Sequence, residues 1–203
     1  MHNIEVLSGQ ESAQEGRMDH IRHIPMEIRW RIAARTLTYM PLAFARAFGH
    51  RKSGSYEAVR SSVYREIARE IATLLSSFHF PATNAAEVAH TSDIIATIVF
   101  GPGMEGDPVE ISHERVVFRI KECPVYHVSR ETGIAPEMAR KECEAFYTAM
   151  IEELNPAYSV AFSGGICTGS DFCDMSVVRK EPVLWSAVRD PHAGVYEETV
   201  KGE

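Results

Sequence analysis

The sequence predicts an α+β fold, with a helical N-terminal half packed on a small antiparallel sheet and two C-terminal helices. Three observations carry this. Apolar residues recur at steps of three and four through residues 56–78 and again through 136–154, the period of an amphipathic helix. They alternate at steps of two through residues 116–121, the period of a strand with one core face. Clear strand signals fall only in the C-terminal half, which separates helices from sheet along the chain.

The elements follow in order. Residues 1–18 carry little apolar periodicity and are expected to form a flexible arm. Residues 19–203 are expected to form one α+β domain, with a helical part over 25–100 and a cysteine-containing α+β part over 110–180. Pro25 suits a first helical turn, and Ile28, Ile32 and Leu37 supply an apolar face. Pro41 is expected to kink or end this helix, with a short second helix to Phe48 and Gly49 as its stop. Ser53-Gly54-Ser55 starts the next helix, whose Val59, Val63, Ile67, Ile71, Leu74, Leu75 and Phe78 are expected to form the central core face. Asn84 can open another helix, while the β-branched run from Ile94 to Phe100 fits either a strand or a buried helix end.

Gly101-Pro-Gly103 and Gly106-Asp-Pro108 are expected to form a loop. The strand at 116–121 then leads to a short helix at 125–131, closed by Gly133. Pro136 opens a longer helix to Leu154, with Met138, Phe146, Met150 and Leu154 on its apolar side and Asn155-Pro156 at its end. Two short strands, 158–162 and 172–178, flank a glycine-rich turn, and the chain after Lys180 reads as strand, arm or tail.

Composition narrows the function. Of 203 residues, 45% are hydrophobic and 24% charged, which excludes disorder as the main state. A net charge of −7 argues against a general nucleic-acid binder. No apolar run approaches the roughly 18–20 residues of a membrane span. The polar start lacks the order of a secretory signal. The expected address is the cytoplasm, and the expected partner is a small-molecule ligand or substrate, with neither nucleic acid nor membrane. A homodimer is compatible with this reading.

The chemistry centres on four cysteines, Cys123, Cys143, Cys167 and Cys173, with no cysteine before them. Structural disulfides are unexpected in a cytoplasmic chain, which leaves buried inert thiols, a metal site or a reactive thiol. Four thiolates suit zinc or an iron–sulfur cluster, and residue type alone does not separate the two. The intervening stretches of nineteen, twenty-three and five residues contain no CxxC pair. Cys123 sits where a strand hands over to a helix, with His127 four positions later. Helix-start amides and a histidine both depress a thiol pKa, so Cys123 and His127 are candidate catalytic residues. The alternative is a capping cysteine packed on the strand and a surface histidine. Arg29, Arg31, Arg35, Arg119 and Arg130 are candidates for capturing a substrate carboxylate.

The block Cys123-Pro-Val-Tyr-His, Gly133, Cys143, Asn155-Pro156, Gly164-Gly-Ile-Cys167 and Asp171-Phe-Cys173-Asp174-Met-Ser resembles the L-2-amino-thiazoline-4-carboxylic acid hydrolase family over about residues 110–180. The resemblance implies hydrolysis of a C–N bond in a small cyclic amidine-like carboxylate. The same block is similar to the 4-vinyl-reductase-type small-molecule-binding domain. Regulatory members of that group hold zinc through a helical cysteine, a Glu-x-x-Cys and a further cysteine. That likeness places Cys143, Cys167 and Cys173 on the cysteine positions and Gly164 on the glutamate position, with Cys123 as the replacement ligand. Two functions are therefore expected as alternatives: a hydrolase with a cysteine-rich metal or cluster site, and a non-catalytic small-molecule-binding or sensor domain whose cysteines hold a structural zinc or iron–sulfur cluster.

Overall fold

A computed structural model describes residues 22–48 and 54–181. The arm expected over 1–18, the signals at Gly49 and Ser53, and the segment after residue 181 lie outside the described residues. The chain runs α1 (Met26–Phe48), α2 (Gly54–Leu75), α3 (Ala85–Phe100), β1 (Glu105–Ile111), β2 (Arg115–Glu122), α4 (Pro124–Glu131), α5 (Pro136–Leu154), β3 (Tyr158–Ser163) and β4 (Cys173–Arg179). The strands form one antiparallel sheet in the order β1-β2-β4-β3. Helices fill the N-terminal half and strands the C-terminal half, as the periodicities require.

Local chemistry sets most boundaries. The Asn84 side chain accepts from the Glu87 amide at 3.0 Å, and Glu87 Oε2 accepts from the Thr83 amide at 2.8 Å. This reciprocal cap starts α3, and the run from Ile94 to Phe100 is its buried end. Pro124 and Pro136 occupy first turns of α4 and α5, where a missing N–H costs little. Pro41 lies inside α1, which continues to Phe48 as one helix rather than ending there. Leu42 and Ala45, buried immediately beyond it, hold the continuation against the core and offset the lost backbone bond.

The segment expected as a loop at 106–108 is part of β1. Its Gly and Pro suit an irregular edge strand, with register shifts at Glu105/Gly106 and Pro108/Glu110. A Cβ on Gly106 would fall 2.6 Å from Phe118 Cε1 and 2.7 Å from the Arg119 carbonyl oxygen, so β1 can approach β2 only with glycine there.

The core faces of α1 and α2 differ from the expected ones. Ile28, Ile32 and Leu37 are exposed, and α1 buries Ala34, Thr38, Leu42 and Ala45 instead. On α2, Val59, Val63 and Leu74 are exposed, as is Phe78 in the 3-10 turn Ser76–Phe78 that follows, while Ile67, Ile71 and Leu75 are half-buried at the core's edge. Tyr64 and Ala68 form the buried face. The central element is α5, which packs on α1, α2, α3, α4 and β3. Its Phe146, Met150 and Ile151 meet a core that includes Leu42, Ile95, Met175 and Val177. Both α1 and α2 rest on α5 and make little direct contact with each other, which leaves a groove between them.

Candidate functional site

The four cysteines line a single cavity. Cys123 is the N-cap of α4, with extended backbone, at the point where β2 ends. Cys143 projects from α5, Cys167 from the 3-10 turn Ile166–Thr168, and Cys173 opens β4. The Cys143 thiol hydrogen-bonds to Cys123, and the amides of Tyr126 and Val125 lie near the Cys123 sulfur without closing a cap hydrogen bond. The Cys143 hydrogen bond is the largest cause, and burial opposes it; together with the amides and the His127 charge it brings the Cys123 thiol down to about 7. The same contact, with burial, pushes Cys143 well up. Burial raises Cys167 to about 11 and raises Cys173, whose Sγ accepts from the Ile166 amide at 3.1 Å. Of the pair, Cys123 is the thiol that ionises first, and Cys143 is the one that keeps its proton.

Other predicted residues are not brought here. His127 Nε2 lies 3.0 Å from Glu122 Oε2 on the exposed side of α4 and reaches Cys123 only through its charge. Arg31 pairs with Glu27, Arg35 with Glu131, and Arg130 with the Tyr126 hydroxyl. Arg119 makes a two-pronged contact with Asp174 at 2.8 and 2.9 Å and stacks on Phe172. None of these arginines, nor Arg29, lines the cysteine cavity. The cation that does is Arg140, which donates to the carbonyls of Gly164 at 3.0 Å and Phe162 at 3.2 Å and to Glu144 at 2.8 Å. It thereby clamps the glycine-rich turn beside Cys167.

The cysteine cavity has a volume of about 30 Å³, room for about one or two waters. The thiols are soft donors suited to zinc or an iron–sulfur cluster. Among the described residues, however, no three His, Cys, Asp or Glu side chains are grouped so as to hold a metal ion as they stand.

A second site was not foreseen from the sequence. The groove between α1 and α2 encloses about 550 Å³, with walls that include Met40, Phe44, Val59 and Val63. On its lining lies Glu142, only 4% exposed. Its Oε2 accepts from the Tyr64 hydroxyl at 3.0 Å and its Oε1 from the Tyr56 hydroxyl at 3.3 Å, with Arg60 Nη1 at 3.6 Å. Burial raises Glu142, against the lowering effects of Tyr64, Arg60 and Tyr56. Burial and the carboxylate's charge push Tyr56 up to about 12 and Tyr64 further up. A small cavity bridges the two sites: it is lined by Pro41, Tyr64, Ile67 and Glu142 from the groove side and by Phe100, Val125 and Cys143 from the cysteine side.

The sequence held a signal for this cluster. Glu142 interrupts the row Met138, Phe146, Met150, Leu154 at its own step of four, and Tyr56, Arg60 and Tyr64 recur at steps of four on α2. A carboxylate inside an apolar row needs partners, and a polar row on a facing helix can supply them.

No protein-family model and no curated protein sequence matches the chain. Among solved structures, it is similar to a trafficking protein particle complex subunit 3 from Naegleria fowleri, covalently bound to palmitic acid. The identity is 12% and the TM-score 0.50, over 76% of this chain and 96% of that one. It also aligns with the phenol-responsive sensory domain of the transcription activator PoxR in a structure with phenol. There the identity is 10% and the TM-score 0.45, over 72% of this chain and 74% of that one. The first likeness is one of fold.

Proposed function

We propose that this chain is a small-molecule-binding domain of the cytoplasm whose ligand occupies the groove between α1 and α2. The observation that carries the reading is the groove itself: about 550 Å³ of mainly apolar space with a buried carboxylate, two phenols and a guanidinium converging on one wall. Ligand sites are typically apolar clefts of about 300–1,000 Å³ with a few convergent polar groups. The cysteine cavity, at about 30 Å³, has no room for an organic substrate in this conformation. The trafficking subunit that shares the fold carries a long apolar acid, which supports the capacity of such a scaffold for apolar ligands. No helix among the described residues is long and apolar enough to cross a membrane, which is consistent with the address. The test is a filled groove. Val63, half exposed on its wall, tolerates a larger side chain, so Val63→Trp should abolish ligand-induced thermal stabilisation while the unliganded melting temperature stays close to wild type. Unchanged ligand binding by Val63→Trp would place the ligand elsewhere.

The hydrolase reading rests on a different observation, the Cys123 thiol held near pH 7 at a helix start. There Cys123 is the nucleophile toward a cyclic amidine-like carboxylate, and Arg140 is the cation available to the carboxylate. Turnover of 2-aminothiazoline-4-carboxylate that disappears in Cys123→Ser would establish it. Zinc or an iron–sulfur cluster at Cys123, Cys143, Cys167 and Cys173 requires the sulfurs to draw together. Elemental analysis and an absorption spectrum of protein purified without oxygen read that directly.

A further inference from the structure

We infer that the groove selects a neutral, elongated apolar molecule bearing a single hydroxyl, because the polar groups at its wall are already balanced in charge. This rests on the reading of the groove as a ligand site. The Glu142 carboxylate and the Arg60 guanidinium stand 3.6 Å apart, one negative and one positive charge, with two phenol hydroxyls donating to the carboxylate. Arg60 is 14% exposed and Glu142 4%, so water contributes little to either. The remaining walls are apolar, among them Met40, Phe44, Val59 and Val63, apart from the neutral hydroxyl of Ser55.

A charged head group would upset this balance. A ligand carboxylate would face the Glu142 carboxylate, and a ligand ammonium would compete with Arg60 for it. Either leaves one charge without a partner in apolar surroundings, which is strongly unfavourable. A hydroxyl both donates and accepts. An ionised carboxylate offers about four acceptor sites, so the two phenol hydroxyls leave acceptor capacity for a ligand O–H. The Arg60 Nε is buried without a hydrogen-bond partner, so this guanidinium depends on Glu142 for its charge compensation and cannot release it to a charged ligand. The shape follows from the helices: the groove lining runs on α1 from Leu37 to Phe48, a length of about 16 Å.

The probes are decan-1-ol, decanoate and decylamine, which differ only in head group, titrated calorimetrically into the whole chain. Decan-1-ol is expected to bind about tenfold or more tighter than either charged partner, a difference of about 1.4 kcal/mol or more. Arg60→Met should shift the preference toward decylamine, and Glu142→Gln toward decanoate; Arg60→Met alone suffices if the Glu142 variant does not fold. Equal or tighter binding of decanoate or decylamine by the wild-type protein would overturn the inference and leave the groove as a ligand site. Binding of none of the three, by a protein that Val63→Glu converts from dimer to monomer in sedimentation, would overturn both and assign the groove to a second copy of the chain. Binding of none by a protein that is monomeric throughout would also overturn both.

Discussion

Replacing Tyr64 with phenylalanine removes one oxygen from the wall between groove and core. That oxygen donates to Glu142 Oε2 at 3.0 Å, and both residues are buried. A hydrogen bond to a charged group contributes about 1.5–3 kcal/mol net, and at 4% exposure the carboxylate has little access to water that could replace it. The ring itself is retained, with its edge contact to Phe146 at 6.2 Å, so the cost of Tyr64→Phe is the hydrogen bond alone. Tyr56 is half-buried and its bond is longer, 3.3 Å, so Tyr56→Phe should cost less, about 0.5–1.5 kcal/mol. Glu142→Leu should cost about 3–5 kcal/mol, because Arg60 and both phenols lose their acceptor. In the Glu142→Leu background, Tyr64→Phe deletes an unsatisfied donor and should cost nothing or stabilise. Urea unfolding of the four proteins, with unchanged slope, gives the coupling directly, expected at about 1–3 kcal/mol. A cost below about 0.5 kcal/mol for Tyr64→Phe, or the same cost in both backgrounds, would refute the buried cluster.

Four further outcomes are expected. Ultraviolet thiolate absorbance should show one thiolate forming with a midpoint near pH 7 that vanishes in Cys123→Ser. Because the folded pKa is lowered, wild type should gain stability over Cys123→Ser as pH rises from about 7 to about 8.5, and lose that advantage as pH falls through 7. Met150→Ala, at a fully buried position, should cost about 2–5 kcal/mol in chemical unfolding, whereas Leu74→Ala on the exposed side of α2 should stay within about 0.5 kcal/mol. Gly106→Ala should cost about 1–3 kcal/mol, since its Cβ meets the Phe118 ring and the Arg119 carbonyl; a neutral result in the same assay would show that β1 can withdraw without loss.

The elements framed by proline and asparagine were legible in the sequence. Helix α5 begins at Pro136 and ends before Asn155-Pro156, and β2 follows its alternating residues. The faces of α1 and α2 were not legible in the same way. Periodicity shows that an apolar row exists, but where helices approach closely the core takes small residues, here Ala34, Ala45 and Ala68. Those contribute little to a hydrophobic pattern, so the larger Leu37, Val59 and Val63 look like core and instead line a groove. Strand β1 was hidden because Gly106 and Pro108 are turn residues everywhere except at a bulged edge. The four cysteines could be recognised as one group from their confinement to one block, and they share a cavity. His127 meets Glu122 across the exposed start of the helix, a contact between i and i+5 that the spacing to Cys123 did not suggest. The Glu142 cluster joins residues 78 and 86 positions apart: the local patterns mark each polar row, but only the packing of α2 on α5 shows that the two rows meet.

Glu142 and Cys143 are consecutive on α5, yet one lines the groove and the other lines the cysteine cavity. Successive positions on a helix are fixed about 100° apart around one axis, so a single turn of α5 presents a carboxylate to one chamber and a thiol to the other. A displacement of α5 as a body would carry both groups with it. The midpoint of Cys123 ionisation is therefore a readout, from inside the protein, of whether binding in the groove moves that helix.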